Sequence, residues 1–297
     1  SKTNTSNIDF YAFTATPREE TIARFGTDGK AFDVYSMKQA IEEKFILNVL
    51  KNYVTYTILN KLKNDGENKK LPSSAQSKRA LNEAIRGSEV NLVKKAEVIV
   101  DHMVNNGMNL IKRENKSIAK GMVVTSSREE AYKLFREIQR LTETFPTIKP
   151  IVAFTGDLEF DGETYNERNL NGFPSEQIPN KFKKEYNLLI VADKFQTGFD
   201  ENLLAVMYVD KKLSGITAVQ TLSRLNRAAD NKHEVVVVDF QDNTEEVREA
   251  FAKYNVEARL RDVVLPDLAG DAQKIYDYKF FTKEQVSKYF KAYVTIA

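Results

Sequence analysis

The sequence predicts an α/β fold built on a doubly wound parallel sheet. Two observations carry this. From Gly121 onward β-rich runs alternate with helical stretches, and the β-rich runs are continuously apolar instead of alternating apolar with polar. A strand covered by helices on both faces needs apolar side chains in both directions, and repeated β-α-β order with such strands gives a parallel sheet.

Taken in order, GMVVTSS (121–127) predicts the first strand of this region, and REEAYKLFREIQRLTETF (128–145) the helix after it. In that helix Ala131, Leu134, Phe135, Ile138 and Leu141 recur at helical spacing. IVAFTGD (151–157) predicts the next strand; a polar loop with Gly156, Gly162 and Gly172 then leads to the helical PSEQIPNKFKKEY. NLLIVAD (187–193), AVMYVD (205–210) and EVVVVDF (234–240) predict three more strands, the last two separated by a helix containing AVQTLSRLNRA (218–228).

The earlier part reads differently. NIDFYAFTATP (7–17) predicts a buried strand stopped by Pro17, with no strand-helix alternation around it. Residues 36–62 and 74–106 predict helices, joined by the loop NDGENKKLPSSAQS. In the second helical group Leu92, Ala96, Ile99 and Met103 share one face, after a stop at Gly87 and a cap at Ser88. Past the sheet, TEEVREAFAKYN and TKEQVSKYFKAY predict further helices.

Composition narrows the function. The 297 residues, 42% of them hydrophobic, are enough for about two domains. No apolar run approaches the roughly 20 residues that span a bilayer, so a soluble, cytoplasmic protein is expected. With no cysteine and two distant histidines, His102 and His233, neither disulfides nor a thiolate or histidine metal centre is expected. The net charge of +2 does not by itself mark a nucleic-acid binder. Residues 61–120, with 13 Lys/Arg against 7 Asp/Glu, hold a local excess that a solvated surface or a DNA contact would equally explain.

Ligands of open α/β sheets gather at the carboxyl ends of the strands. That rule selects Thr125, Ser126, Ser127 and Arg128, either an anion seat at a helix start or a plain helix cap. It also selects Thr155-Gly156-Asp157, which alone is a turn, and ADKFQTGFDE (192–201). In the latter Thr197 offers a hydroxyl, Gly198 allows close backbone approach, and Asp200 suits a sugar hydroxyl or a neighbouring arginine. On a continuous helix Gln220, Arg224 and Arg227 fall within about 60° of one another, opposite Ala218, Leu222, Leu225 and Ala229. With right-handed winding this cationic face is expected at the same sheet edge. Two forked, permanently charged guanidinium groups match a polyphosphate whose charge grows in a transition state; a solvated, salt-bridged face is the alternative. No G-x-x-x-x-G-K-[ST] loop occurs, so the chain supplies half of a nucleotide site and should not turn over nucleotide alone.

In order, FTATP (13–17), VVTSSREEA (123–131), ADKFQTGFDE, MYVDKKLSG (207–215) and QTLSRLNRA (220–228) resemble the motor region of the type I restriction enzyme R subunit, a superfamily 2 helicase relative. YSMKQAIEEKFILNVLKNYVTY (35–56) resembles the connector between that family's two RecA-like motor domains. The resemblance implies a RecA-like sheet, with Thr14 and Thr16 in motif III, coupling nucleotide hydrolysis to motion on DNA. It implies Thr125, Ser126 and Arg128 in motif IV, and Thr197, Gly198 and Asp200 in motif V, touching DNA backbone and nucleotide. It places Gln220, Arg224 and Arg227 in motif VI, where one or both arginines reach the γ-phosphate.

ATP and Mg2+ are implied as cofactors, held mainly by a first motor domain that this chain lacks. Duplex DNA and the methyltransferase and specificity subunits of a restriction complex are the implied partners, with no membrane. The corresponding division is 1–35, the terminal strand and connector of the first motor domain; 36–118, a helical linker or insert; 119–245, the second motor domain; and 246–297, the start of a helical extension. On this reading the chain is a fragment of an ATP-dependent DNA-translocating restriction subunit, inactive in isolation. Another superfamily 2 remodeller and a non-catalytic DNA-binding or assembly module are the alternatives.

Overall fold

Five of the apolar runs and the short Tyr53–Thr55 segment lie side by side in one wholly parallel sheet. The structure, a computed structural model, describes residues 10–14, 19–56, 89–114, 116–195 and 198–254. Its strands are β1 (Tyr53–Thr55), β2 (Lys112–Arg113), β3 (Lys116–Ser117), β4 (Lys120–Thr125), β5 (Pro150–Phe154), β6 (Leu158–Phe160), β7 (Glu163–Tyr165), β8 (Leu188–Ala192), β9 (Leu204–Asp210) and β10 (Val236–Asp239). The main sheet has the order β1-β10-β9-β4-β8-β5. The pairs β2/β3 and β6/β7 are small antiparallel ribbons. The second closes through Asp161 and Gly162, both at positive φ, the conformation that an Asp-Gly hairpin turn requires.

The helices are α1 (Glu19–Phe25), α2 (Met37–Glu42), α3 (Glu89–Asn105), α4 (Arg128–Leu141), α5 (Glu167–Asn171), α6 (Ile178–Lys184), α7 (Gly215–Leu222) and α8 (Thr244–Tyr254). Every residue of β4, β8 and β9 is buried, as continuous apolar runs require. On one face Val123, Val152, Ile190, Val206 and Tyr208 pack with Ala96, Ile99, Val100 and Met103 of α3 and with Ala131, Leu134, Phe135 and Ile138 of α4. The alternate strand residues, among them Met122, Ile151, Leu189, Val191, Met207 and Val209, are buried too and point to the other face. The connection β4-α4-β5 travels along the sheet in the opposite direction to β9-α7-β10. Right-handed crossovers therefore place α4 and α7 on opposite faces, so the sheet is doubly wound, in the expected α/β class.

Two expectations change. Residues 10–14 form no strand: Phe10, Tyr11 and Phe13 are 71, 74 and 95% exposed. A buried strand needs neighbouring strands for its backbone, and among the described residues no strand pairs with this stretch. The helix expected over 36–62 is confined, within its described part, to α2, started by a capping box between Ser36 and Gln39. Beyond it Lys44 takes a left-handed conformation, Leu47 donates its amide to Asn226 O at 2.7 Å, and the β-prone Tyr-Val-Thr of β1 pairs with β10. The helix expected over 74–106 is seen as α3, with Ala96, Ile99 and Met103 fully buried. Gly87, Ser88, the loop at 64–77 and TKEQVSKYFKAY lie outside the described residues.

Two polar anchors hold the carboxyl ends of the strands. Lys95 of α3 donates to both carboxylate oxygens of Asp210 at 2.8 Å, and Gln241 Nε2 donates to the same carboxylate at 2.7 Å. Asp239 accepts from Tyr53 Oη (2.7 Å), from the amides of Gln241 and Asn243, and from Asn243 Nδ2. Burial of the phenol, with the Asp239 carboxylate beside it, pushes the Tyr53 hydroxyl far above its ordinary range.

Breaking a buried ion pair by removing one partner costs about 3–5 kcal/mol, whereas replacing both with packed apolar groups is often nearly neutral. Lys95→Met should therefore lower stability by about that amount in urea unfolding, and adding Asp210→Leu should recover most of the loss. A single variant with an unchanged midpoint would show that the pair does not hold α3 to the sheet.

Candidate functional site

The residues singled out in the sequence separate into two groups at opposite edges of the sheet. Thr125, Phe154, Ala192, Asp210 and Asp239 end their strands at the carboxyl edge. Helix α7 begins just past the tip of β9 and runs back toward the start of β10, so the residues directly after Leu222 lie at the amino edge. Arg224 there donates from Nη1 to Phe199 O at 2.9 Å, within the segment that leads into β9. The expectation of one shared edge is thus corrected: a helix between parallel strands returns antiparallel to them and delivers its last turn to the opposite end.

The helix is also shorter than expected, stopping at Leu222 instead of continuing through Ala228. Arg224 and Leu225 close a tighter turn by donating their amides to Thr221 O and Leu222 O. Arg227 is extended and bridges to Ile46. Tertiary pairing with residues 46–47 ends the helix despite the helix-forming residues beyond it. The single-face argument from helical spacing therefore does not apply to Arg227.

The side chains nevertheless come together. Arg224 Nε donates to Gln220 O at 3.3 Å, and Arg227 Nε meets Asp200 Oδ1 at 2.8 Å. Burial, together with the positive charge of Arg227, lowers the pKa of the Arg224 guanidinium, and Asp200 opposes the shift. Arginine remains charged throughout the physiological range, so the pair is a permanently cationic locus beside one carboxylate. The Arg227 and Asp200 side chains are 45 and 61% exposed, which leaves that ion pair open to exchange with another partner.

Gly198 has φ +71°, and a Cβ there would meet no atom within 4 Å. The glycine therefore answers a conformational need and not a packing one. Asp193 and Phe195 also adopt positive φ, so the chain bends sharply as it leaves β8. It is pinned by Phe199, whose ring stacks near those of Phe195 and Phe182 at 5.0 and 5.8 Å.

Under this locus lies a layer of buried charge that sequence reasoning missed. Lys120 donates to Phe182 O, Lys183 O and, at 3.1 Å, Glu201 Oε2. Lys232 donates to Asn202 O, Leu225 O and Arg227 O. Neither lysine belongs to a motif; both stand at the mouths of strands, where a surface lysine is the ordinary reading. Only Glu201, next to Asp200 in the same segment, had a local signal.

At the carboxyl edge the picture is more internal. Thr125 is fully buried, its hydroxyl directed at Val191 O (3.0 Å) and Ser127 O (3.1 Å). The amide and hydroxyl of Ser126 both face the Glu130 carboxylate. Ser127 caps α4 through the Glu130 amide. Arg128 is exposed and lies over the Gly156 turn, donating to Asp157 O at 2.6 Å. Thr14 lies in an exposed stretch that is neither helix nor strand, while Thr16 and Thr197 lie outside the described residues. Among the described residues no group of three or more His, Cys, Asp or Glu is placed to hold a metal ion, so no step is assigned to Mg2+ through them, and no helix is long and apolar enough to cross a membrane.

Comparison with known proteins adds the family context. Residues 157–242 match the family model described as type I restriction enzyme subunit R domain 3, T1R_D3-like. The MjaIXP sequence of Methanocaldococcus jannaschii, named as a type I restriction endonuclease subunit, is 25% identical over 96% of this chain and 27% of its own length. The HindI endonuclease subunit of Haemophilus influenzae is 24% identical over 94% of this chain and 26% of its own length. The chain therefore spans about a quarter of the curated relatives it matches. Among solved structures, the ATP-dependent Type ISP restriction-modification enzyme LlaBIII bound to DNA aligns with a TM-score of 0.44 at 15% identity, covering 73% of this chain and 13% of that one. By sequence the chain is similar along nearly all of its length to the endonuclease subunits of type I restriction enzymes, and over residues 157–242 to the R-subunit domain 3 model.

Proposed function

We propose that this chain is the second RecA-like motor domain, with flanking segments, of an ATP-dependent DNA-translocating restriction subunit. The observation that carries the reading is the convergence of Arg224 and Arg227 beside Asp200 on an exposed edge. An exposed ion pair contributes only about 0–1 kcal/mol, so Arg227 exchanges Asp200 for a phosphate oxygen at little cost. Arg224 is held from below by the carbonyls of Phe199 and Gln220. Phosphoryl transfer from ATP to water spreads negative charge over the γ-phosphate oxygens, which fixed guanidinium donors stabilise more than the ground state. In this role Arg224 and Arg227 are the catalytic cations and Gln220 their neighbour on α7. Gly198 shapes the loop that presents Asp200, and Asp200 holds Arg227 until nucleotide arrives.

The rest of the nucleotide site, including the phosphate loop and the carboxylates for Mg2+, belongs to the first motor domain. DNA falls to the carboxyl edge, where Ser126 and Arg128 are the exposed members and the buried Thr125 supports the turn beneath them. Thr14, Thr16 and Thr197 complete the proposed motifs. Closure of the two motor domains around ATP grips duplex DNA, hydrolysis releases it, and repeated cycles move the enzyme ahead of cleavage. Methyltransferase and specificity subunits complete the assembly.

In the intact subunit, Arg224→Ala and Arg227→Ala should each lower DNA-stimulated ATPase by about two orders of magnitude or more, the loss that follows removal of an arginine finger. Near-normal turnover in both variants would reject the role. For the chain alone, calorimetry should find ATP binding weaker than about 1 mM, because most phosphate contacts belong to the other lobe. Tight binding would mean that the nucleotide site is misplaced.

A further inference from the structure

Among the described residues Lys95, Lys120 and Lys232 are buried, and the first two meet carboxylates. Lys232 is different. It is 4% exposed, and its ammonium meets three backbone carbonyls: Asn202 O at 3.1 Å, Leu225 O at 2.9 Å and Arg227 O at 2.8 Å. An ammonium has three donors and no acceptor, so these carbonyls use it completely. They belong to the two segments that form the candidate site. Asn202 follows Asp200 by two residues, Leu225 stands between the arginines, and Arg227 is one of them. Burying an ammonium is costly, and a turn needs no such group to close.

We propose that Lys232 is the positioning residue of the arginine pair, an ammonium clamp that locks the Asp200 segment to the Arg224–Arg227 segment and so sets how the two guanidinium groups face an incoming polyphosphate. The polyphosphate clause rests on the motor reading; the clamp itself rests on the three carbonyl contacts. Burial pushes the Lys232 ammonium down to about 8, with Glu201 opposing the shift and Arg227 adding to it. Lys120 faces Glu201 from the other side, and Asp200 faces Arg227. Above about pH 8 the amine keeps two donors for three carbonyls, and the clamp loosens while both arginines stay charged. The effect on folding has the other sign. The unfolded chain holds the Lys232 proton up to its ordinary value near 10.5, so between about 8 and 10.5 this group makes the fold more stable as pH rises. Loosening of the arginines with rising pH is therefore separable from unfolding.

The test measures hydrogen-exchange protection of the Arg224 Nε–H, relative to free arginine at the same pH, together with binding of inorganic tripolyphosphate. In the unmodified chain protection should fall about tenfold between about pH 7 and about pH 9. In Lys232→Met it should be low and flat across that range, and tripolyphosphate should bind about tenfold more weakly. A Lys232→Met variant with unaltered protection and affinity overturns the clamp. Should that variant not fold, Lys232→Gln, which cannot serve all three carbonyls, takes its place in the same two measurements and is read the same way. Unchanged tripolyphosphate binding in Arg224→Ala and Arg227→Ala would instead remove the phosphate reading, and the clamp would still stand or fall on the protection measurements.

Discussion

A helix that joins two parallel strands must carry the chain back the full length of the sheet, and this return decides where every candidate residue of the molecule lies. Strand ends and helix starts collect at the carboxyl edge; helix ends and strand starts collect at the amino edge. Ser126 and Arg128 belong to the first set because they stand at the start of α4, and Arg224 and Arg227 to the second because they follow the end of α7. Asp200 joins the arginines only because the segment from β8 to β9 also crosses the sheet, bringing its far end to the mouth of β9. The separation of a proposed nucleotide edge from a proposed DNA edge is thus a consequence of connectivity, before any side chain is chosen.

Side chains then decide how firmly each edge is held. The carboxyl edge is tied by acids at strand tips: Asp210 takes Lys95, and Asp239 takes Tyr53, Gln241 and Asn243. The amino edge is tied by lysines that satisfy carbonyls, with Lys120 under Phe182 and Lys183 and Lys232 under Leu225 and Arg227. The polarity of the chain gives a rationale for the difference. Strand tips and helix starts at one edge expose amides that acids can accept from; helix ends at the other expose carbonyls that need donors. Asp239 and the two lysines are matched to backbone groups that would otherwise lie unpaired, and Asp210 to the side chains of Lys95 and Gln241, which is the condition under which burying a charge is tolerable.

Much of this architecture was legible in the residues. The runs at 121–125, 188–192 and 204–210 needed apolar groups on both faces, and that need is met; the periodicity of Ala131, Leu134, Phe135 and Ile138 describes the packed side of α4. What failed were boundaries set by partners distant in sequence. Nothing local in residues 43–56 announces that Ile46 and Leu47 will pair with Arg227 and Asn226, or that Tyr53 will reach Asp239. The same pairing cuts the arginine helix short, so the two guanidinium groups converge through tertiary contacts and not through helical spacing. Lys232 shows the limit most plainly. Its role depends on three carbonyls from two segments, and a lysine ahead of a strand looks the same whether its amine is in water or in the core.

The exposure of the Arg227–Asp200 pair, set against the burial beneath it, gives the site its character. A guanidinium fixed by buried neighbours on every side would have no donor to offer; one loose in solvent would lose conformational entropy on binding. Arg227 avoids both extremes: its backbone carbonyl is held by Lys232 from below, while its side chain is balanced against a single exposed carboxylate. Such a pair is weak as a stabilising contact and well suited to replacement by a stronger anion. In high dielectric the attraction between such charges is screened; on the proposed motor reading, a second lobe that covers the edge and excludes water makes the same charges interact much more strongly. On that proposal the pair acquires its chemistry from closure, because the cations are already in place and what closure adds is the low dielectric in which they act.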